Sequence, residues 1–498
     1  MGRQPDRALA HGIGTTMTAD PYALGHGSAE IQVEHYDLDL AYKVTTNRLS
    51  GTAVLRVRAL VPVTVITLDL AAFAVEKITV VGARMRRFAH SGGRLTIRLT
   101  EPVAAGSVVT VTVRYAGYPR PIDSLWGEVG WEELEDGVLV AGQPIGAPSW
   151  FPCNDRPADK ASFTTRLTVD NPYVVRAHGR LVSRRARASS TTWVFEEEHP
   201  TAPYLATVQI GQYVELDLAQ HPVRQRALVP AAHRLAALER LSRHGAIMEL
   251  FTELFGPYPF DGYTVVVTPD ELEIPVEAQG IAVFGANHLA PSDGDERLIP
   301  HELAHQWFGN SVTVASWQHI WLNEGFACYA EWLWSPHGGG PDTDAMARTW
   351  HARLAEQPQD LVLAAPAIED LFDDRVYKRG ALTLHALRTV LGEEVFWAVV
   401  RAWTARHRDG VVTTEDFREI VDGHADNAGG IAHAQEVRLL LDAWLDRAPL
   451  PRLPRTAGTA AASPLDGERD GPRTSSAPSV PGKAKGKKRQ KGEGGSAR

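Results

Sequence analysis

Residues 301–334 read HELAHQWFGNSVTVASWQHIWLNEGFACYAEWLW, and the spacing of their histidines and acids decides how the rest of the chain is read. His301 and His305 lie in an apolar-periodic segment that predicts a helix, on which positions i and i+4 share one face. Two imidazoles so placed can converge on one cation, with Glu302 projecting beside them. By itself this is a short motif of moderate specificity. Eighteen residues then separate His305 from Glu324, which opens a second helical segment, WLNEGFACYAEW. Its carboxylate completes a set of two histidines and one glutamate. Three protein ligands leave a fourth position open, the pattern of a catalytic rather than a structural zinc. The expected cofactor is therefore one zinc ion (Zn2+) per chain. Such an ion lowers the pKa of a bound water to roughly 7 and polarises a carbonyl, while Glu302 carries the proton to the leaving amine. Peptide hydrolysis is the chemistry that this arrangement implies.

Two neighbours compete for roles. His319 is a rival ligand, but the open fourth position belongs to water, so it is expected to be solvated or hydrogen-bonded elsewhere. Glu331 follows Glu324 by seven residues and shares its helix face. It reads equally as an acceptor that orients a ligand histidine or as an exposed helical acid.

Outward from this segment the texture changes twice. Between Val33 and about Leu218, short alternating or β-branched runs recur between turn residues, among them VEHYDLDLAYKV (33–44) and TTWVFEE (191–197). Such spacing predicts an antiparallel β-sandwich. From His221 onward longer helical periods take over, from HRLAALERLSRHGAIMELFTELF (233–255) to VRLLLDAWLDRA (437–448), with one strand-rich piece, DGYTVVVTPDEL (261–272). The expected division is a flexible N-terminus over 1–29, a sandwich over 30–218, a mainly helical zinc domain over 219–450 and a disordered basic tail over 451–498. That tail is poor in apolar residues and ends in a run containing GKAKGKKRQK, so it cannot offset the entropy of ordering.

Composition narrows the classes. The 498 residues exceed one domain, and 44% hydrophobic against 22% charged residues describes an ordinary globular protein. A net charge of −9 argues against a nucleic-acid partner, because such surfaces cluster Lys and Arg. Two cysteines, Cys153 and Cys328, exclude a thiolate zinc cage and a disulfide framework and permit a reducing compartment. No apolar stretch suits a signal peptide or a membrane span, so a cytoplasmic location is expected. Met17 is a possible alternative start.

The same segment closely resembles the metal-binding stretch of the zinc aminopeptidase family that includes aminopeptidase N and the leukotriene-epoxide hydrolase, a gluzincin family. GQPIGAPSWFPCNDRPADKASF (142–163), FGPYPF (255–260) and VYKRGALTLHALR (376–388) extend the resemblance over about residues 30 to 450. It implies a multidomain α+β fold, a saddle-shaped N-terminal antiparallel β-sandwich followed by a thermolysin-like, mainly helical catalytic domain, in a short form without the large C-terminal helical domain. It also implies roles that spacing does not supply. Glu277 in IPVEAQGIAVFG, 24 residues before His301, takes the place of the glutamate of the GxMEN motif, which grips the free α-amine of the substrate; its neighbour Glu273 is a rival. Gln143 matches a second amine contact, and Tyr377 the tyrosine that stabilises the tetrahedral oxyanion. Peptides with a free N-terminus are thus the expected partners.

The chain departs from the family in places. Pro275 stands in the GxMEN region and has no backbone N–H to donate, Arg379 replaces the usual lysine of the tyrosine motif, and Gln318 and His319 follow Trp317 where the family has Trp-x-Asp. Alternative readings keep the zinc but make the chain an endopeptidase or an epoxide hydrolase, or keep the fold alone as a non-catalytic binding protein.

Overall fold

The alternating runs of the first half form three sheets. The largest has seven strands in the order Arg180–Ala186, Ser190–Thr201, Ala161–Asp170, Ile31–Lys43, Arg48–Ala59, Val108–Gly117 and Phe73–Val81. Along Ala161–Asp170 buried and half-buried residues alternate without a break, as the two-residue repeat of a sheet with one covered face requires. A five-stranded sheet (Val174–Ala177, Val208–Gly211, Gly137–Ala141, Gly127–Leu134, Ile122–Ser124) and a three-stranded one (Val63–Asp69, Arg94–Val103, Met85–Ser91) complete the sandwich. Leu38, Ile97, Val138 and Leu167, one or two from each sheet, belong to a single apolar core. One pairing departs from the expected antiparallel pattern: Ile31–Lys43 runs parallel to Ala161–Asp170. These strands are remote in sequence and no hairpin links them, so nothing imposes the antiparallel sense.

The computed structural model describes residues 20–290 and 295–454. The expected flexible stretch over 1–29 is corrected at its end, because Asp20, Ala23 and Ser28 are buried. Asp20 accepts hydrogen bonds from Trp317 N at 2.8 Å and Ser316 Oγ at 2.9 Å, and the Tyr22 hydroxyl donates to Pro366 O at 2.7 Å. Gly27 N and Ser28 N donate to Asp69 and Asn154 of the sandwich. Individual polar side chains hold this segment in place, and no periodic pattern announces it. Residues 1–19 and the basic tail from 455 lie outside the described residues, whereas Leu450 and Leu453 pack on the helical core.

The second half begins with a five-stranded sheet ordered Tyr213–Ala219, Arg224–Pro230, Gly262–Thr268, Ile281–Gly285 and Val276–Ala278. Its first strand spans the expected boundary at 218/219; strand alternation continues there although the partners are new. The strand-rich piece at 261–272 becomes the central, buried strand of this sheet. Among the described residues eight α-helices accompany it: α1 (Arg234–Arg240), α2 (His244–Phe255), α3 (Leu298–Ala304), α4 (Trp321–Trp334), α5 (Thr343–Ala355), α6 (Asp374–Leu391), α7 (Glu393–Arg406) and α8 (Thr414–Leu445), the last broken at Gly430 with φ 74°. The periodic run 233–255 is thus two helices with a turn between them. Among the described residues no helix is long and apolar enough to cross a membrane.

Every residue of α4 is buried, so this helix is the axis of the domain rather than an amphipathic cover. It crosses α6 with backbones touching: a Cβ on Gly325 would lie 2.8 Å from Gly380 Cα, and one on Gly380 would lie 2.7 Å from Gly325 Cα. Only glycines permit that approach, and it brings Glu324 and Tyr377 onto facing surfaces. Gly325→Ala forces the helices apart, a cost of about 1–3 kcal/mol that exceeds the ~1 kcal/mol of helix propensity gained. A Tm lowered by a few degrees in a thermal melt is the expected result, and an unchanged or raised Tm refutes the tight crossing.

Candidate active site

Helix α3 is short and carries Pro300 ahead of His301, where a missing N–H is tolerated within the first turn. His301 and His305 follow one turn apart, 8% and 2% exposed. Their Nδ1 atoms are occupied: His301 Nδ1 pairs with Glu331 Oε1 at 2.8 Å, and His305 Nδ1 with Phe308 O at 3.1 Å. Both Nε2 atoms therefore face inward, and each lies 3.6 Å from Glu324 Oε2. One donor atom from each of His301, His305 and Glu324 falls within 4.8 Å of the others. Neutral imidazole nitrogens and a carboxylate suit zinc.

Charge in the site points the same way. Burial pushes the Glu302 carboxyl up to about 7, with Glu324 and Glu331 adding to the effect. Glu277 is pushed well above the usual range by burial, then by Glu324 and Glu302. Burial opposes protonation of His301, yet Glu324 and Glu331 raise it to about 10, whereas burial takes His305 down to about 4. Acids that hold protons and one imidazole that gains one are the marks of a pocket short of positive charge, and a divalent cation reverses these directions. Glu302 Oε2 is buried without a hydrogen-bond partner, which leaves it free for a water or substrate proton. The residues fit a zinc ion.

Each residue singled out from the sequence has a definite place. Glu277, half-buried on the edge strand Val276–Ala278, accepts a hydrogen bond from Gln143 Nε2 at 2.7 Å across from the sandwich; Glu273 is exposed. Glu277, Glu302 and His305 also offer atoms within 4.8 Å of one another, so the carboxylate faces the metal ligands. The half-buried Tyr377 ring lies 6.1 Å from that of His301, tilted by 20°, and its hydroxyl is pushed well above its ordinary pKa by burial, then by Glu324, Glu277 and Glu302. His319 turns away: its Nδ1 meets the Thr414 hydroxyl at 3.0 Å at the start of α8. Arg379 donates to Trp444 O, Leu361 O and Ala448 O, so it fastens the end of α8 and stays out of the site.

Glu331 resolves as the partner of His301, and the sequence reading missed what holds it. Arg297 Nη1 lies 3.2 Å from Oε1, and the buried Lys378 Nζ lies 3.9 Å from Oε2 and 4.6 Å over the Trp350 ring. Against burial, Lys378, His301 and Arg297 bring the Glu331 carboxyl down to about 2. Arg297 stands one helical turn before His301, a spacing that could have disclosed it. Lys378 gave no signal beyond adjoining Tyr377.

Known proteins align with this arrangement. Residues 32–205 match the peptidase M1 N-terminal domain and residues 240–444 the peptidase family M1 domain. An M1 zinc metallopeptidase from Deinococcus radiodurans is 30% identical, with a TM-score of 0.76 over 88% of this chain and 99% of that one. A mutant form of the metallopeptidase from that organism, bound to a Tyr-Ser-Ala substrate, aligns with a TM-score of 0.77 at the same identity. Aminopeptidase M1 of Arabidopsis thaliana is 27% identical over 57% of this chain and 35% of its own length; aminopeptidase N of Oryctolagus cuniculus is 27% identical over 70% and 40%. This chain spans less than half the length of these two curated relatives. It has the β-rich and helical domains of a two-domain M1 structure, and it belongs to peptidase family M1.

If Glu331 orients His301, then Glu331→Gln weakens metal retention by roughly ten- to a hundredfold in a chelator competition, the usual effect of losing an outer hydrogen-bond partner. Retention equal to the parent's shows that the contact has no such role.

Proposed function

We propose that the chain is a zinc-dependent aminopeptidase, with the sandwich ending before Tyr213 and the catalytic domain beginning with the strand Tyr213–Ala219. One observation carries the reading: the inward Nε2 atoms of His301 and His305 and the Glu324 carboxylate form one cluster, and the Glu277–Gln143 pair supplies a carboxylate beside it. His301, His305 and Glu324 would hold the ion. Zinc there supplies Lewis-acid polarisation of a carbonyl and a water acidified to about pKa 7. Glu302, with one oxygen free, accepts a proton from water and delivers it to the leaving nitrogen. Tyr377 donates from its hydroxyl to the oxyanion as the carbonyl becomes tetrahedral.

Glu277 makes the chemistry exopeptidic. Gln143 bonds its carboxylate so that an α-ammonium can pair with it, and because Glu277 offers an oxygen within 4.8 Å of a His305 ring nitrogen, an amine held there would set the scissile bond after the first residue. An internal peptide segment would bury the acid without a cation, a costly arrangement. This favours peptides with a free N-terminus over endoproteolysis. The M1 relatives named as aminopeptidases and the metallopeptidase structure with a bound tripeptide support the same substrate class. Buried, unpaired Cys153 and Cys328 accord with a reducing cytoplasm as the site of action.

Two measurements test this. Metal-stripped protein regains aminoacyl-anilide hydrolysis with stoichiometric zinc, and Glu302→Gln binds zinc yet loses roughly a hundred- to ten-thousandfold in kcat; activity that survives in the variant refutes the assigned base. N-acetylation of the substrate, or Glu277→Gln with the free amine, lowers kcat/KM by roughly a hundredfold or more, as expected for breaking a desolvated charge pair. Equal rates for free and acetylated substrates would identify an endopeptidase instead.

A further inference from the structure

The chain leaves α3 through an unusual turn. Asn310 N, Ser311 N and Val312 N donate to His305 O, Gln306 O and Trp307 O, each five residues back, at 3.0, 3.1 and 3.1 Å, and Gly309 takes φ 118°, a value that side chains rarely adopt. Such wide turns are rare and occur mostly singly. Yet Phe308 O, at the head of this turn, is the acceptor for His305 Nδ1, so the plane of its peptide fixes the tilt of the imidazole.

Two side chains of the sandwich grip the next three carbonyls in succession. The Tyr204 hydroxyl donates to Gly309 O at 3.2 Å, and Lys160 Nζ donates to Asn310 O at 3.0 Å and Ser311 O at 2.7 Å. Lys160 is 6% exposed and, among the described residues, has no carboxylate within ion-pair distance; backbone carbonyls stand in for its water. A buried ammonium is expensive, and here two of its three hydrogen bonds go to this loop, the third and longest, at 3.4 Å, to Gly410 O. The same loop reaches the amine side of the cleft, because Asn310 Nδ2 donates to Ala278 O at 2.9 Å, next to Glu277.

We infer that Lys160 and Tyr204 are positioning residues through which the sandwich domain holds His305, and with it the metal, in place. The inference rests on the zinc reading above. It assigns the sandwich a second task besides presenting Gln143: it adds to the catalytic domain's own hold on this turn, in which Thr313 Oγ donates to Asn310 O at 3.0 Å and Asp409 N to Ser311 Oγ at 3.2 Å.

The test uses the full chain and the rate at which a chelator strips zinc, followed with a metal indicator, alongside the Tm of the metal-free protein. Lys160→Met is expected to lose zinc about tenfold faster, Tyr204→Phe several-fold faster, and Lys160→Arg to recover part of the loss. Leu167→Ala serves as the control: Leu167 is fully buried in the strand Ala161–Asp170 that follows Lys160 but roughly 20 Å along it, so its Tm falls while zinc loss stays at the parental rate. Parental rates in Lys160→Met and Tyr204→Phe, or equal acceleration in Leu167→Ala, overturn the inference. Should Lys160→Met not fold, Tyr204→Phe, which removes one hydroxyl, decides alone. A parent protein that takes up no zinc defeats the metal reading itself, a distinct outcome.

Discussion

Buried negative charge governs this molecule. Glu277, Glu302, Glu324 and Glu331 approach one another around α3 and α4, while among the described residues only Arg297 and Lys378 bring fixed positive charge near them. Four carboxylates against two cations leave a deficit that a single divalent ion removes. Without such an ion the acids must retain protons or an imidazole must gain one, and the raised pKa values of Glu277, Glu302 and His301 express that cost. The fold is a device for holding this unfavourable set of charges at a fixed geometry.

Each acid is carried by a different support. Glu324 rides in the first turn of α4, where the helix dipole favours a carboxylate, and the glycine crossing presses that turn toward Tyr377. Glu302 shares α3 with both histidines. Glu277 sits on an edge strand whose next residue, Ala278, is bonded by Gln306 and Asn310, so it moves only with the turn after α3. Separate elements converge because the buried α4 is the common wall for them. A change in one support is therefore felt as altered charge spacing, not as loss of a single contact.

What could be read in the sequence divides along the same line. The triad, Glu302 and the helices that carry them were legible because helical periodicity converts spacing into direction: His301, His305, Glu324 and Glu331 were each placed by counting residues. The two-residue alternation foretold the sandwich equally well, since a covered sheet face demands it. Glu277, Gln143 and Tyr377 had no such ruler and came from resemblance alone, because edge strands and cross-domain loops encode no period. The segment at 20–29 was misread, since Asp20 and Tyr22 are fixed by a few individual hydrogen bonds, and isolated bonds leave no pattern. Phe308 went unnoticed for a related reason: it acts through its carbonyl, which every residue possesses.

Charge also explains why the tyrosine motif can differ here. With Lys378 turned to Glu331 and the equally buried Arg379 turned to carbonyls at and just after the end of α8, two adjacent cations do separate work on different faces of α6, roughly 100° apart. An arginine suits the second task, since its planar fork spans several carbonyls at once, whereas a lysine suits the first, a compact charge fitted between Trp350, Cys328 and an acid. Exchanging the two residues would place a bulky fork beside the glutamate that pairs with His301 and leave the end of α8 with a single point charge. The order Lys378-Arg379 is thus dictated by what each face of the helix must hold, and Tyr377, at the preceding position, inherits its orientation from both.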